Sequence, residues 1–385
     1  MTLSRRAFLR FGGTATLLAL GPAVGRAQGR EPIKIGFPIP LTGPFGAEAA
    51  DQQAGATLAV EEINARGGVR GRRIELRFAD DEANPAKAPL VARQLRDDPR
   101  VVAVIGHINS AATLAAAPVY NDPERGVVAI SPASSSPLIS RAGPWTFRVC
   151  PTDLQHGPAL AQWAIARLGR RRALFLYSND NYGRGVMQSF RAAFAQRGGR
   201  VVSADPYLTT LLNGDSDIDR YLLRGQQRGF DVLLIAGQAD GGIRIIREAR
   251  RLGFTGPILG GDGLTNVKSD PAAEGVYISS AFLPDRPDPR AQAFVAAYRR
   301  RWGETPDHRG AMTYDAFHLI VRAIEEVGPE RLAIRRYLEQ VGRRRPPFLG
   351  VSGTIRFDEN GDVVGKEVTI GVVRGGELVT AGTAQ

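Results

Sequence analysis

Apolar residues along this chain fall in short blocks, separated by stretches whose apolar positions recur at helical spacing. Ile33–Ile39 is a nearly unbroken apolar run, as in a strand covered on both faces. Gln52–Arg66 sets Ala56, Val60 and Ile63 on one helical face, and Gly67-Gly68 ends it. Arg73–Phe78 alternates Ile74, Leu76 and Phe78, a strand pattern, and Lys87–Arg96 returns to helical spacing. Val101–Ile105 and Val127–Ile130 are short apolar strands on either side of the helix-like Ala111–Tyr120. This alternation predicts a mostly parallel sheet with helices on both faces.

The alternation restarts after Pro151. Helices are predicted over Gly157–Leu168, Gly185–Gln196, Ile218–Arg228 and Ile243–Leu252, and strands over Ala173–Tyr177, Val201–Ala204, Asp231–Ala236 and Pro257–Leu259. Two such units in series point to two lobes of similar build. The rest of the chain adds helices Ala291–Arg301, Tyr314–Val327 and Glu330–Val341, then strands Thr354–Phe357 and Val368–Val373.

Composition agrees with a globular chain. Its 385 residues are 43% hydrophobic and 23% charged, a length that favours two cores over one. The formal charge of +11 comes from scattered arginine. Arg170–Arg172 and Arg343–Arg345 are short runs, with no aromatic-interleaved basic stripe, so nucleic acid is not an expected partner. The lone Cys150 allows no internal disulfide.

Residues 1–27 read as an export signal. Arg5, Arg6 and Arg10 precede the apolar Thr14–Leu20, and Gly25 and Ala27 supply the small residues of a cleavage site near Ala27. Ser4–Arg10 resembles a twin-arginine signal, with a plain secretory signal as the alternative. Either predicts a periplasmic protein, and no later apolar run approaches the ~18 residues of a membrane span.

Enzymatic signatures are missing from the sequence. His107, His156, His308 and His318 are widely spaced, and there is no H-E-x-x-H, G-x-S-x-G or P-loop pattern. No metal or cofactor is expected, and no catalysis. Asp80-Asp81-Glu82 reads as a solvated loop. Asp358-Glu359-Asn360-Gly361-Asp362 lacks the spacing of a calcium loop, whereas Asn-Gly between two strands predicts a hairpin turn.

Several segments, taken in order, resemble the periplasmic branched-chain amino-acid-binding proteins. They are Ile33-Lys34-Ile35-Gly36, Leu41-Thr42-Gly43-Pro44, Glu62 to Gly71, Val104-Ile105-Gly106-His107, Ser131 to Pro137, Asn181 to Gly185, Tyr314-Asp315-Ala316-Phe317 and Gly353 to Phe357. The resemblance implies a type I periplasmic-binding-protein fold. Its two doubly wound parallel-sheet lobes are joined by a three-crossover hinge, and ligand is trapped between them. On this basis lobe I is expected over 28–150 plus 283–347, and lobe II over 151–282 plus 348–385. The crossovers are expected near Val149–Pro151, Ser279–Phe282 and Phe348–Ser352. The implied function is capture of an amino acid or related small molecule by a monomer that serves the membrane permease of an ABC importer. A sensor of the same fold for amides, urea or aromatic acids is the alternative, and an enzyme using Ser110 or Asp262 is the rival from another class.

The resemblance also implies a site. Ser110, at a strand-to-helix junction, is expected to meet a carboxylate with the help of the helix dipole, although an N-cap accounts equally for a serine there. In the loop after a strand, the Ala133 carbonyl and the Ser134 and Ser135 hydroxyls are expected at the amino-acid head group, where a plain turn is the alternative. Asp262 stands where the family has a carboxylate for the ammonium, one methylene shorter than the usual Glu. Tyr182 is expected to cover the ligand. Glu48 and Gln238-Ala239 stand where the family has aromatic walls, which predicts a wetter pocket and a ligand larger or more polar than leucine. The family's first-lobe disulfide is replaced by Ala83 and Asn109.

Overall fold

The computed structural model describes residues 31–43, 45–208 and 216–383, so the export signal read over 1–27 lies outside the described residues. The first lobe alternates β1 (Ile33–Ile39), α1 (Gly46–Ala65), β2 (Ile74–Asp80), α2 (Ala88–Asp97), β3 (Val101–Ile105), α3 (Ser110–Tyr120), β4 (Ala129–Ser131) and β5 (Thr146–Arg148). Its sheet is parallel, in the order β2-β1-β3-β4-β5. The chain then builds the second lobe from α4 (Asp153–Gln162), β6 (Arg172–Ser178), α5 (Asn181–Gln196), β7 (Arg200–Tyr207), α6 (Ser216–Gln227), β8 (Val232–Ala236), α7 (Ala239–Arg251), β9 (Ile258–Gly260) and β10 (Tyr277–Ser280). It returns to the first lobe as α8 (Pro289–Trp302), α9 (His308–Val327) and α10 (Arg331–Leu338). A small hairpin, β11 (Phe348–Gly350) with β12 (Gly353–Ile355), follows. Finally β13 (Thr369–Arg374) and β14 (Glu377–Thr383) extend the second sheet antiparallel, in the order β14-β13-β10-β9-β8-β6-β7.

This is the expected α/β, two-lobed architecture with parallel sheets. The helices returning after β10 are held by the first core, where Phe37 of β1 meets Phe317 of α9 edge-on at 5.7 Å. Helices α1 and α9 begin earlier than periodicity predicted, at Gly46 rather than Gln52 and at His308 rather than Tyr314. Asp307 starts α9 by accepting the Arg309 backbone N–H at 2.6 Å. These additional turns carry Glu48, His308 and Arg309.

The third crossing lies elsewhere than expected. The sequence reading gives everything after Phe348 to the second lobe, yet Ile355, Phe357 and Val363 are buried in the first core beside Phe147 and Phe317. The expected Asn-Gly turn explains why. Gly361 takes φ +77°, which only glycine adopts freely, and Phe357 pairs antiparallel with Val363 across the turn. Both apolar side chains therefore fold back under β5, and the chain leaves this lobe only between Val363 and Thr369. The Asp315 carboxylate on α9 ties down the preceding hairpin, accepting from the backbone of Val351 at 2.7 Å and Ser352 at 2.8 Å.

Buried charge joins the first and third crossings. Arg148, fully buried at the end of β5, donates to Asp362 at 2.6 Å and to the Ser136 carbonyl at 2.7 Å. Lys366 donates to the Val149 carbonyl at 3.0 Å and the Ser352 hydroxyl at 2.6 Å. Burial lowers its pKa to about 8, against the opposing pull of Asp315. Neighbouring Cys150 is buried too, and burial pushes its thiol up to about 12, leaving it protonated and inert.

Phe357 meets Phe147 edge-on at 5.2 Å and is almost wholly buried. Phe357→Ala is therefore expected to cost about 3–5 kcal/mol, the range for an aromatic deleted from a core. A urea unfolding midpoint unchanged from the wild type would show that this segment does not belong to the first core.

Candidate functional site

Helix N-termini from both lobes converge on one small cavity. Phe45 and Glu48 come from the start of α1, Asn109 and Ser110 from α3, Tyr182 from α5, Gln238 from α7, and His308 and Arg309 from α9. Asp262 and Gly263, which open a short helical turn over Asp262–Ser269, complete it with Ile108 and Ala133. In open α/β sheets the strand ends that face a ligand are followed by helix starts, so partial positive charge accumulates there. The space a water centre can occupy is about 20 Å³, room for roughly one water. A solute enters only when the lobes part or side chains move.

Six of the eight expected residues line this cavity: Glu48, Ser110, Ala133, Tyr182, Gln238 and Asp262. Ser110 is not the N-cap of α3. Asn109 takes that place, its carboxamide oxygen accepting from the Ala112 N–H at 2.7 Å. The Asn109 amide also donates to the Ala83 carbonyl at 2.8 Å. A hydrogen bond thus joins the two positions that carry the disulfide in the family. The Ser110 hydroxyl accepts from the Ser136 N–H at 3.2 Å, and its own proton remains available to donate.

Ser134 and Ser135, expected at the head group, do not border the cavity. The Ser134 hydroxyl is taken up behind the wall by Thr113 at 2.7 Å and the His107 carbonyl at 3.3 Å. His107 is itself fixed between Asp81 and the Tyr120 hydroxyl, which is 3.1 Å away. Ser135 is fully buried beside Asp153, whose carboxyl is pushed well up by burial. Both serines shape the loop that presents Ala133.

Asp262 is the electrostatic centre. It is 3% exposed, accepts from the Tyr182 hydroxyl at 2.9 Å, and lies 3.5 Å from His156 Nε2 and 3.8 Å from His308 Nε2. Burial pushes its carboxyl up, but His156, His308, Arg309 and the Tyr182 hydroxyl outweigh this and hold it below the usual range. Burial brings His308 down to about 4, so it is uncharged at neutral pH, where Arg309 and Tyr182 matter more. Arg309 pairs with Asp307 of its own helix start at 3.0 Å, and across the cleft it reaches Gln238 at 3.4 Å, while His308 meets Thr265 at 3.1 Å. These contacts hold the lobes closed.

Glu48, for which solvent and ligand were both open, points inward at 2% exposure. Its Oε2 has no hydrogen-bond partner, and burial raises its pKa although Arg309 pulls it down. Sequence reasoning missed His156, His308 and Arg309. The histidines are far apart in sequence, and folding brings two of the four together at Asp262. Among the described residues no group of three His, Cys, Asp or Glu is arranged to hold a metal ion. A usable signal was present in Asp307-His308-Arg309, a charged cluster directly before an apolar helix pattern.

The family model described as "Periplasmic binding protein" matches residues 32–377. The "Leu/Ile/Val-binding protein homolog 1" of Brucella abortus (strain 2308) is 27% identical over 336 residues, which cover 86% of this chain and 87% of that protein. Among solved structures, an ABC transporter substrate-binding protein from Desulfitobacterium hafniense in complex with Leu is 33% identical. It covers 91% of this chain and 100% of its own, with a TM-score of 0.78. The leucine-binding protein LivK from Thermotoga maritima is 30% identical over 91% of this chain and 98% of its own, with a TM-score of 0.82.

The buried imidazole in the cleft has a measurable consequence. His308 falls from its ordinary 6.5 to about 4 in the fold, so the unfolded chain takes up its proton first as pH drops. Its contribution is complete above pH ~6.5 and lost as pH falls toward 4, up to about 3 kcal/mol in all. The stability difference between the wild type and His308→Gln is therefore expected to move against the wild type between pH 7 and pH 5. Urea melts giving a constant difference over that range would contradict the burial of His308.

Proposed function

The chain belongs to the periplasmic binding protein family, and from that premise we propose that it captures an α-amino acid between its lobes for an ABC importer. One observation carries the reading. The cavity sets first-lobe donors and the α3 N-terminus at Ser110, with the Ala133 loop, opposite a buried second-lobe carboxylate, Asp262. A zwitterion needs both. Its carboxylate is stabilised at the helix start with the Ser110 hydroxyl, and its ammonium by charge-assisted bonds to Asp262 and the Ala133 carbonyl. Tyr182 holds Asp262 in place through its hydroxyl, which also accepts from the Gly263 N–H at 2.9 Å.

Closure is the binding step. The lobes shut over the solute, water leaves, and the closed face is what a membrane permease recognises. Binding is the whole activity, without catalysis, and the protein works in the periplasm after export. The relatives named for leucine, isoleucine and valine support an amino acid as the solute class.

A thermal-shift screen of refolded, ligand-stripped protein tests this. A solute at 100 times its dissociation constant stabilises by about 2.7 kcal/mol. At least one α-amino acid is expected to raise the melting temperature, and calorimetry is expected to give about 10–100-fold weaker binding for Asp262→Ala, the worth of a hydrogen bond to a charged group. Shifts confined to carboxylates without an amine would remove Asp262 from its role.

A further inference from the structure

We propose that the amino acid captured here has a cationic side chain, and that Glu48 is the group that receives it. The inference rests on the amino-acid reading above and deepens it. Glu48 sits in the first turn of α1, where an acid is often present only to match the helix dipole. That explanation covers only part of the group. A hydrogen bond to its own backbone serves the dipole, but Glu48 is 2% exposed and its Oε2 stays unpartnered at the wall of the cavity.

Glu48 is also the residue shared by two spaces. Beyond it, away from Asp262, a hollow of about 750 Å³ lies between the lobes, lined among others by Asp51, Asp240, Lys268, Trp302, Glu304 and Asp307. Its charge opposes that of the molecule. The chain carries a formal charge of +11, yet acids outnumber bases around the hollow. Lys268 there is engaged by Glu377 at 3.6 Å, and Arg309 by Asp307 at 3.0 Å. Asp51 and Asp307 interact as a close pair. Burial and the neighbouring Asp307 raise the Asp51 carboxyl well above its ordinary value, while His308 and Arg309 help hold Asp307 below its own. Glu48, Asp240 and Glu304 belong to the same acidic lining, and acids gathered in a cleft focus a negative potential there.

A solute anchored by its head group at Ser110 and Asp262 thus directs its side chain past Glu48 toward an acidic space. A leucine side chain there sets methyl groups against a buried carboxylate oxygen, which is costly. An ammonium or guanidinium supplies the missing donor and a compensating charge.

Titration calorimetry of the wild type and Glu48→Gln with lysine, arginine, ornithine, glutamine and leucine tests the assignment. Lysine, arginine or ornithine is expected to bind at least tenfold tighter than leucine to the wild type. Glu48→Gln, which keeps the shape, is expected to shrink that ratio by tenfold or more. Leucine binding the wild type as tightly as the best cationic ligand overturns the proposal, whatever the variant does. A ratio unchanged in Glu48→Gln overturns the role of Glu48. If no amino acid binds, the reading on which the inference rests falls, and the inference with it.

Discussion

Charge inside a closing protein is tolerable only where the fold supplies compensating dipoles, and this cavity depends on that constraint. Helix starts from both lobes point into it, so acids and anions are favoured there before any side chain is chosen. Asp262 illustrates the balance, since burial alone would neutralise it and its surroundings keep it ionised. Asp180 and Asp307 cap α5 and α9 at the same face, each accepting a backbone N–H. The site is polar because of where it sits in the fold.

The same constraint acts at the hinge. Residues at the crossings are covered by both lobes and yet must let them move. Arg148 with Asp362, and Lys366 with Val149 and Ser352, place charged groups at or beside the first and third crossings. Directional bonds fix which segments touch where the chain passes between the lobes. Across the cleft Arg309 reaches Gln238 at 3.4 Å, and His308 meets Thr265 at 3.1 Å and lies 3.8 Å from Asp262.

Substitution at family positions changes the means of holding a feature while the feature remains. Where relatives of this type carry a disulfide, Asn109 both caps α3 and bonds to Ala83. One hydrogen bond stands in for the covalent link, and the same side chain, accepting from Ala112, fixes the helix start beside the cavity. The aromatic walls are different. Glu48 and Gln238 do not reproduce a ring, and the pocket changes chemical character there.

The alternation of apolar runs and helical spacing determined the architecture, because each strand and helix writes its own period into its own residues. Order and spacing of motifs located Ser110, Ala133, Tyr182, Gln238, Asp262 and Glu48, all of which line the cavity. Only tertiary structure decided the rest. Whether Glu48 faced water or ligand depended on α1 beginning at Gly46, a start that no capping side chain marks. Ser134 was lost to the site because Thr113, far away in sequence, takes its hydroxyl. The third crossing moved because Phe357 and Val363 needed cover that the first core alone provides. His156 and His308 met at Asp262 because residues separated by a whole lobe of chain become neighbours only when two sheets close on each other, a proximity that no local pattern records.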